Sequence, residues 1–341
     1  MRNPFTQPQS YDQKDYLALM SSPSMAVLAE EMRMDGVEDA GLFFARELDH
    51  IKTQTYDVLY PEFTALKMFA VSSDVHIGAQ YIEFHTYDKT GTAKIITDYA
   101  DDLPRADVLG KPTRRPIKLL GTHYGYSSDE MRASRMAGKS LDIRRAEAAK
   151  YAIDYLTNKI AWAGDDENDL HGVLSPNNDV PIFTLPTNDA GTSTRFVDKT
   201  PQEQLADISA MVRFVATLTK GVERPDTLAL PTDAFLHLFD TPRSDASDLS
   251  VGEWILKNVP RLKAIVEAPE LNADSGITPY PGIGCGFLFS RNPRKFTIEI
   301  PMPFYQHPIQ QRNLAFVIPC ESKVAGAVIY YPMSMLIIPG V

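Results

Sequence analysis

The stretch LDIRRAEAAKYAIDYLTNKIAWAG, Leu141 to Gly164, decides the fold of this chain. It contains no proline, and its only glycine stands at the end, where a C-terminal cap is expected. A helix of this length would span about 34 Å. Most of its circumference is apolar or aromatic, so most of its sides are expected to be buried. We therefore predict a helix over 141–163 that lies in a large core or is covered partly by neighbouring subunits.

Two sets of side chains divide this helix. The apolar set is expected to pack it and consists of Ala149, Ala152, Leu156 and Ile160. The polar set follows a narrow stripe at spacings of three and four and consists of Arg144, Glu147, Lys150, Asp154, Thr157 and Asn158. Such a distribution predicts that the stripe faces solvent and that the apolar residues meet other elements.

Composition restricts the class of protein. The chain has 341 residues, of which 44% are hydrophobic and 23% charged, an ordinary globular balance. Two cysteines, each in an apolar setting, give neither a disulfide framework nor a zinc cluster. The start, MRNPFTQPQSYDQKDY, has no apolar segment typical of a signal peptide, and no apolar run reaches the length of a membrane span. The net charge of −10 argues against a general nucleic-acid binder.

The order of the predicted elements indicates an α+β fold. Helical patterns near the N-terminus are followed by strands from about residue 63 to 126, then by helices, and finally by mixed elements that end in strands. Within the first set of strands, QYIEFHTYD and TAKIITDYA are predicted to form a hairpin around the turn DKTG. The following DDLPRADVLGKPTRRP is predicted to be irregular, and IKLLGTHYGY to be a strand.

No motif in the chain indicates catalysis. ASRMAGKS, residues 133–140, fits a loose phosphate-loop pattern but lies inside a helical pattern, whereas a phosphate loop joins a strand to a helix. GIGCG, residues 282–286, has the wrong spacing for a dinucleotide fingerprint. The seven histidines are isolated, and DDEND lacks the alternating spacing of a calcium loop. We therefore expect no catalytic residue, no cofactor and no metal, and the protein is expected not to be an enzyme.

Two long segments nevertheless resemble a known family. HIGAQYIEFHTYDKTGTAKIITDYADDLPRADV and YGYSSDEMRASRMAGKSLDIRRAEAAKYAIDYLTNKIAWAGDDENDLHGVLSPNNDV resemble the major capsid proteins of tailed bacteriophages. ADISAMVRFVATLTKGVERPDTLALP and AGAVIYYPMSMLIIPG continue the resemblance, which covers about residues 40–341. At the family's characteristic turn after the helix, the chain reads Gly172, Val173, Leu174, Ser175, with serine in place of the usual asparagine.

The resemblance implies an HK-ninety-seven-type capsid fold and a division of the chain into its parts. In this fold the long helix is the spine of the peripheral (P) domain. The parts implied are an N-terminal arm (1–50), the P domain (51–74 and 126–199, with the spine helix 141–163), an extended E-loop (75–125), an axial (A) domain (200–294 and 326–341) and returning P-domain strands (295–325). No long helical propeptide is evident ahead of the arm.

The function implied is that of a structural shell subunit. Such a protein assembles into hexamers and pentamers of an icosahedral capsid, in the cytoplasm of the host bacterium, with scaffolding and portal proteins, and contacts packaged double-stranded DNA non-specifically without a membrane. Two alternatives remain: an encapsulin-like compartment that stores a cargo enzyme, and a soluble enzyme with a dispersed active site. Copurified cargo would favour the first alternative, and a monomer with a deep pocket the second.

Opposite charges in the E-loop and after the spine helix suggest a contact between subunits. The basic side chains of KPTRRPIK are Lys111, Arg114, Arg115 and Lys118. The strongest acidic run comprises Asp165, Asp166, Glu167 and Asp169. We expect the basic segment to meet acidic groups of a neighbouring subunit, with this run as the first candidate; a solvated basic loop is the alternative.

Overall fold

The computed structural model describes residues 62–95, 105–137, 144–244, 247–280 and 282–341. The predicted N-terminal arm, residues 1–50, lies outside them. The α-helices in these ranges are α1 (Ala65–Met68), α2 (Ser128–Ala137), α3 (Arg144–Trp162), α4 (Pro201–Leu218), α5 (Thr232–Asp240) and α6 (Val251–Asn258).

The strands form three sheets and one ribbon. In chain order they are β1 (Val71–Ser72), β2 (Tyr81–Thr90), β3 (Asp107–Pro116), β4 (Lys118–Ser127), β5 (Gly164–Asp165), β6 (Leu170–His171), β7 (Thr227–Leu230), β8 (Ala264–Glu267), β9 (Cys285–Phe289), β10 (Phe296–Glu299), β11 (Met302–Gln306), β12 (Gln310–Arg312), β13 (Ala315–Val324), β14 (Gly326–Ile329) and β15 (Leu336–Pro339). The prediction of an α+β fold is confirmed.

The predicted spine helix is α3, which ends against the turn that follows it. The last carbonyl groups of a helix have no partner within the helix. Here the backbone amide of Val173 donates to the carbonyl of Ala161 at 2.9 Å, and that of Leu174 to the carbonyl of Trp162 at 2.8 Å. The chain therefore folds straight back on the end of α3, and the turn from Gly172 to Leu174 completes the helix.

One face of α3 packs on a sheet built around the longest strand pairing in the described residues. β4 and β13 pair antiparallel along ten residues, from Ala315 opposite Ser127 to Val324 opposite Lys118. β11 and β12 also pair with β13. The apolar residues between this sheet and α3 are Leu120, Ile160, Leu170 and Val324, joined by Leu156, and further along the helix Ala149, Ile153 and Cys320.

The end of α3 enters a second core beneath a five-stranded sheet of order β1-β10-β14-β6-β5. Trp162 is fully buried there, with its ring 4.8 Å from that of Phe69 and 6.2 Å from that of Phe287. β1 and β6 pair parallel in this sheet, and its other pairings are antiparallel. This core joins the spine helix to the strands that return late in the chain.

The third sheet has the order β15-β9-β7-β8 and is packed by α4, α5 and α6. α4 begins with a capping box, in which the Thr200 hydroxyl accepts from the amide of Glu203 and the Glu203 carboxylate accepts from the amide of Thr200. Pro201 occupies the first turn, as its lack of an amide hydrogen favours. The helices predicted from TPQEQLADISAMVRFVATLTKG and TDAFLHLFD are confirmed.

The structure corrects three predictions about the strands. β2 pairs with β3, Tyr81 opposite Pro116 and Thr90 opposite Asp107, so the segment predicted to be irregular is the returning strand. Residues 92–95 of TAKIITDYA carry no strand, and residues 96–100 lie outside the described ranges. β3 contains two prolines and a glycine, which a two-stranded ribbon tolerates because both of its strands are edge strands.

Two domain boundaries also differ from the prediction. β4 belongs to the sheet that packs on α3, so the E-loop closes at Pro116 and not at residue 125. The terminal segment AGAVIYYPMSMLII is two strands, which the 3₁₀ turn Pro332–Ser334 separates. β14 stays in the five-stranded sheet, and only β15 joins the sheet of the predicted A domain.

Candidate assembly surfaces

The ribbon of β2 and β3 is the most exposed pair of strands in the described residues, and we call it the E-loop ribbon. Its ten cross-strand pairs alternate between its two faces. The inner face carries Ile82, Phe84 and Arg115. The outer face carries Tyr81, His85, Tyr87 and Arg114. Neighbouring basic residues of KPTRRPIK therefore point in opposite directions.

The inner face of the ribbon contacts its own subunit at the base. The ring of Phe84 packs edge-on against that of Tyr330, with centroids 5.0 Å apart. Arg115 Nη2 donates to Asn178 Oδ1 at 3.3 Å. Near the same end, the backbone amide of Ile117 donates to the carbonyl of Gln80 at 2.8 Å. These contacts fix the start of the ribbon to the P domain.

Asn178 connects Arg115 to the turn after the spine helix. Its Nδ2 donates to the Gly172 carbonyl, which leaves Oδ1 as the acceptor for Arg115 and for the His171 ring. His171 Nδ1 lies 2.9 Å from this Oδ1, and His171 Nε2 lies 3.3 Å from Asp169 Oδ1. The base of the ribbon and the end of the spine helix thus share one polar cluster.

The acidic groups nearest Arg115 belong to the same subunit. Burial lowers the pKa of Arg115, and the charges of Asp169 and Asp179 oppose that effect. For Arg115, the prediction that its acidic partner lies on a neighbouring subunit is therefore wrong. The reason is the return of the chain after α3, which brings residues 169–179 beneath the ribbon.

The other basic residues of the segment are available for a neighbour. The Arg114 guanidinium lies over the Tyr81 ring, 3.6 Å from its centroid, and is exposed. Within the described ranges, no carboxylate lies at ion-pair distance from Lys111, Arg114 or Lys118. For these three side chains, a contact between subunits stays a prediction.

The acidic run after α3 divides into two pairs. Asp165 caps the following 3₁₀ turn, where its carboxylate accepts from the Glu167 amide at 3.2 Å and from Asn168 Nδ2 at 2.7 Å. Asp169 faces His171. Asp166 and Glu167 are exposed, and no cation of the described residues lies at ion-pair distance from their carboxylates. These two are the carboxylates that a neighbouring subunit can reach.

The predicted packing residues of the spine helix differ in burial. Ala149 and Ile160 are buried, and Leu156 is half-buried beside the cluster that contains Ile160. Ala152 is exposed in the subunit, so the expectation that it is buried is wrong for the single chain. Whether a second copy covers Ala152 stays a prediction about the assembled shell.

The polar stripe of the spine helix is also not all solvated. Thr157 and Asn158 are buried, contrary to the sequence pattern. Asn158 Nδ2 donates to Glu270 Oε1 at 2.8 Å, and Asn158 Oδ1 accepts from the Ala65 amide at 3.0 Å. Glu270 also accepts from Thr64, from the amide at 2.9 Å and from the hydroxyl at 2.6 Å. Sequence reasoning missed this network because its members lie up to 206 positions apart.

The described residues give no support to the motifs that suggested chemistry. Residues 133–137 of ASRMAGKS lie in α2, and residues 138–140 lie outside the described ranges. Across the part of the chain that the structure describes, no cluster of three or more His, Cys, Asp or Glu could hold a metal ion. No helix in these ranges has the length and hydropathy that a membrane span requires.

Cys285 and Cys320 are buried, and their environment predicts inert thiols. Burial raises the pKa of Cys285 to about 12 and also raises that of Cys320. The thiolate is the reactive form, so at pH 8 we expect the folded protein to react far more slowly than free cysteine with a thiol-exchange reagent. The control is the same protein in guanidinium, in which both thiols should react at once. Rapid reaction of the folded protein would contradict the buried setting.

Comparison with known proteins places the chain among shell-forming proteins. A family model described as "Major capsid protein" matches residues 91–341. The capsid protein of Myoviridae phage XM1 has 16% sequence identity and a TM-score of 0.75, and the alignment covers 89% of this chain and 100% of that one. The capsid of a native GTA particle has 11% identity and a TM-score of 0.59, with 86% and 96% covered.

A virus-like particle from Pyrococcus furiosus is similar to a lesser degree, with 15% identity, a TM-score of 0.50, and 80% and 91% of the two chains covered. No curated protein matches the sequence. At these identities the structural matches establish the fold, which is the HK-ninety-seven-type capsid fold.

Proposed function

The chain belongs to the major capsid protein family, and from that premise we propose that it forms the icosahedral shell of a tailed double-stranded DNA bacteriophage or prophage. The protein is a structural subunit of an oligomeric shell. Its finer arrangement, in hexamers and pentamers around a packaged genome, is the proposal. The observation that carries it is the match of the family over 91–341 together with a fold that spans both the spine helix and the ribbon.

The architecture of the subunit supports assembly in its own right. A two-stranded ribbon is at best marginally stable in water. The E-loop ribbon nevertheless extends over ten residue pairs and exposes Tyr81, Tyr87, Val108 and Leu109. Apolar surface of this kind is expected to be covered in the functional state. Further copies of the chain would supply that cover.

The proposed partners follow from the same role. A closed shell with one special vertex requires a portal protein, and scaffolding proteins would guide assembly in the host cytoplasm. Packaged DNA would contact the inner wall without sequence specificity. Because the chain carries a net charge of −10, free subunits should bind DNA weakly, and added salt should abolish that binding.

An encapsulin-like compartment remains the second candidate, because a virus-like particle shares the fold with a TM-score of 0.50. Particles purified from the natural host distinguish the two. Genomic double-stranded DNA that resists nuclease until the shell is opened would support the phage capsid. A cargo enzyme in particles that lack DNA would contradict it and support the compartment.

Charge reversal tests the proposed contact between the ribbon and the acidic run of a neighbour. We expect the double change Lys111→Glu and Arg114→Glu to slow assembly most at low salt, because screening weakens exposed pairs. Each pair would contribute about 0–1 kcal/mol, but the contact repeats around every capsomer. Light scattering at 20–500 mM salt is the measurement.

The complementary change provides the control. Asp166→Lys with Glu167→Lys should partly restore assembly of the reversed ribbon if these carboxylates are the partners. Arg115 is left unchanged because it contacts its own subunit. Assembly of the double variant at the wild-type rate at every salt concentration would show that these charges do not hold the shell together.

A further inference from the structure

We infer that the E-loop ribbon docks on a second copy of this chain through its outer face, with Tyr87 and Tyr81 as anchors beside Arg114. The inference rests on the proposed function, because it specifies which surface of the ribbon the shell buries. It begins from the register of the two strands, which divides exposed side chains of the same ribbon between opposite faces.

The inner face is already in use at its base. Phe84 packs on Tyr330, and Arg115 donates to Asn178, so this side of the ribbon faces its own P domain. A second copy that approached this side near the base would have to displace those contacts. The outer face carries no such attachment to the subunit in the residues that the structure describes.

The outer face is packed into a continuous strip before any partner binds. Arg114 covers Tyr81 at 3.6 Å, and the rings of His85 and Tyr87 stack with centroids 6.2 Å apart. Tyr87 lies across the strand from Gly110, where a Cβ atom would stand 3.1 Å from Tyr87 Cε1, so the ring covers the space that glycine leaves. These contacts hold the aromatic side chains in place.

Prearranged aromatic and arginine side chains are suited to an interface. Tyr and Arg are enriched among the residues that dominate binding, and a side chain already held in place loses little entropy on docking. Tyr87 is 69% exposed, so its ring is available to a partner. The strip therefore has the chemistry of a hot spot, whereas isolated exposed side chains do not.

A second copy is the occupant that the charges favour. Arg114 brings a cation to the strip, and the same chain exposes Asp166 and Glu167 without a cation of the described residues at ion-pair distance. Each copy thus offers both halves of a complementary contact, which suits head-to-tail association around a ring.

The experiment compares two exposed residues at the same depth of the ribbon. Tyr87 and Leu109 belong to adjacent cross-strand pairs and lie on opposite faces; Leu109 is 62% exposed. Purified Tyr87→Ala and Leu109→Ala proteins would be assembled alone, with no other protein present. We expect the critical concentration for assembly to rise about tenfold or more for Tyr87→Ala and less than about threefold for Leu109→Ala.

Circular dichroism and thermal unfolding of the unassembled variants keep the result interpretable, since neither side chain is buried and both should fold as wild type does. A larger loss for Leu109→Ala than for Tyr87→Ala would place the interface on the inner face and overturn the inference. Wild-type assembly by Tyr87→Ala would also overturn it, since a second copy would then not use this face. Failure of the wild-type protein to form any shell would instead contradict the proposed function.

Discussion

Replacement of Gly172 by alanine is expected to prevent folding of the subunit. A Cβ atom at this position would lie 2.3 Å from the backbone nitrogen of Gly164 and 2.4 Å from the carbonyl oxygen of Trp162. Both atoms are backbone, so no side chain can rotate away to make room. We expect a loss of about 3 kcal/mol or more, at the upper end of overpacking effects, which is a large part of the stability of an ordinary domain.

The measurement is the yield of soluble protein and its thermal unfolding. Gly121→Ala is the matched control, because Gly121 lies in the exposed strand β4 and its Cβ would approach no atom closer than 4.0 Å. That variant should be as stable as wild type. A Gly172→Ala protein that unfolds at the wild-type temperature would show that the turn does not close tightly on the end of the spine helix.

The second large effect is expected for Ile160→Asp. Ile160 is 2% exposed and packs with Leu120, Leu170 and Val324 between the spine helix and the sheet of β4 and β13. A carboxylate there would lose its hydration without gaining a partner. We expect a loss of more than about 3 kcal/mol and neither soluble subunits nor particles.

Ala152→Asp on the same helix is the informative comparison. Ala152 is exposed in the subunit, so this variant should fold and unfold as wild type does. If a second copy covers Ala152 in the shell, particle formation should fail although the subunit is folded. Unfolding of Ala152→Asp would contradict the exposure of this face. Soluble Ile160→Asp protein of normal stability would contradict the packing of the helix.

The spine helix could be predicted because its signals are local. An uninterrupted apolar pattern closed by Gly164 is enough to define a helix, and the capping box at Thr200 defines the start of α4 in the same way. The resemblance of the whole chain to a family then indicated the HK-ninety-seven-type fold, which the structure and the comparisons support.

β3 could not be predicted because its stability depends on position and not on composition. Pro112, Pro116 and Gly110 weaken the strand pattern, and only the ribbon's lack of further neighbours makes them tolerable. Pairing of β2 with the nearer segment TAKIITDYA seemed the shorter connection. The register instead joins residues 81–90 to residues 107–116 across a longer loop.

The polar cluster beneath the ribbon was hidden for a different reason. Arg115, Asn178 and His171 lie on separate segments, and each looks like an ordinary polar residue in the sequence. Likewise, Asn158 fits the spacing of a solvated stripe, and only the distant Glu270 makes its burial favourable. Such partners are set by the tertiary fold, so a local pattern carries no information about them.

Electron microscopy of the purified protein tests the central claim most directly. The account predicts closed icosahedral shells whose subunits show the spine helix along the wall and the E-loop ribbon over an adjacent copy. A protein that stays a 38.0 kDa monomer in light scattering, across the salt and protein concentrations at which capsid proteins assemble, and that shows no shells in the microscope, would contradict it.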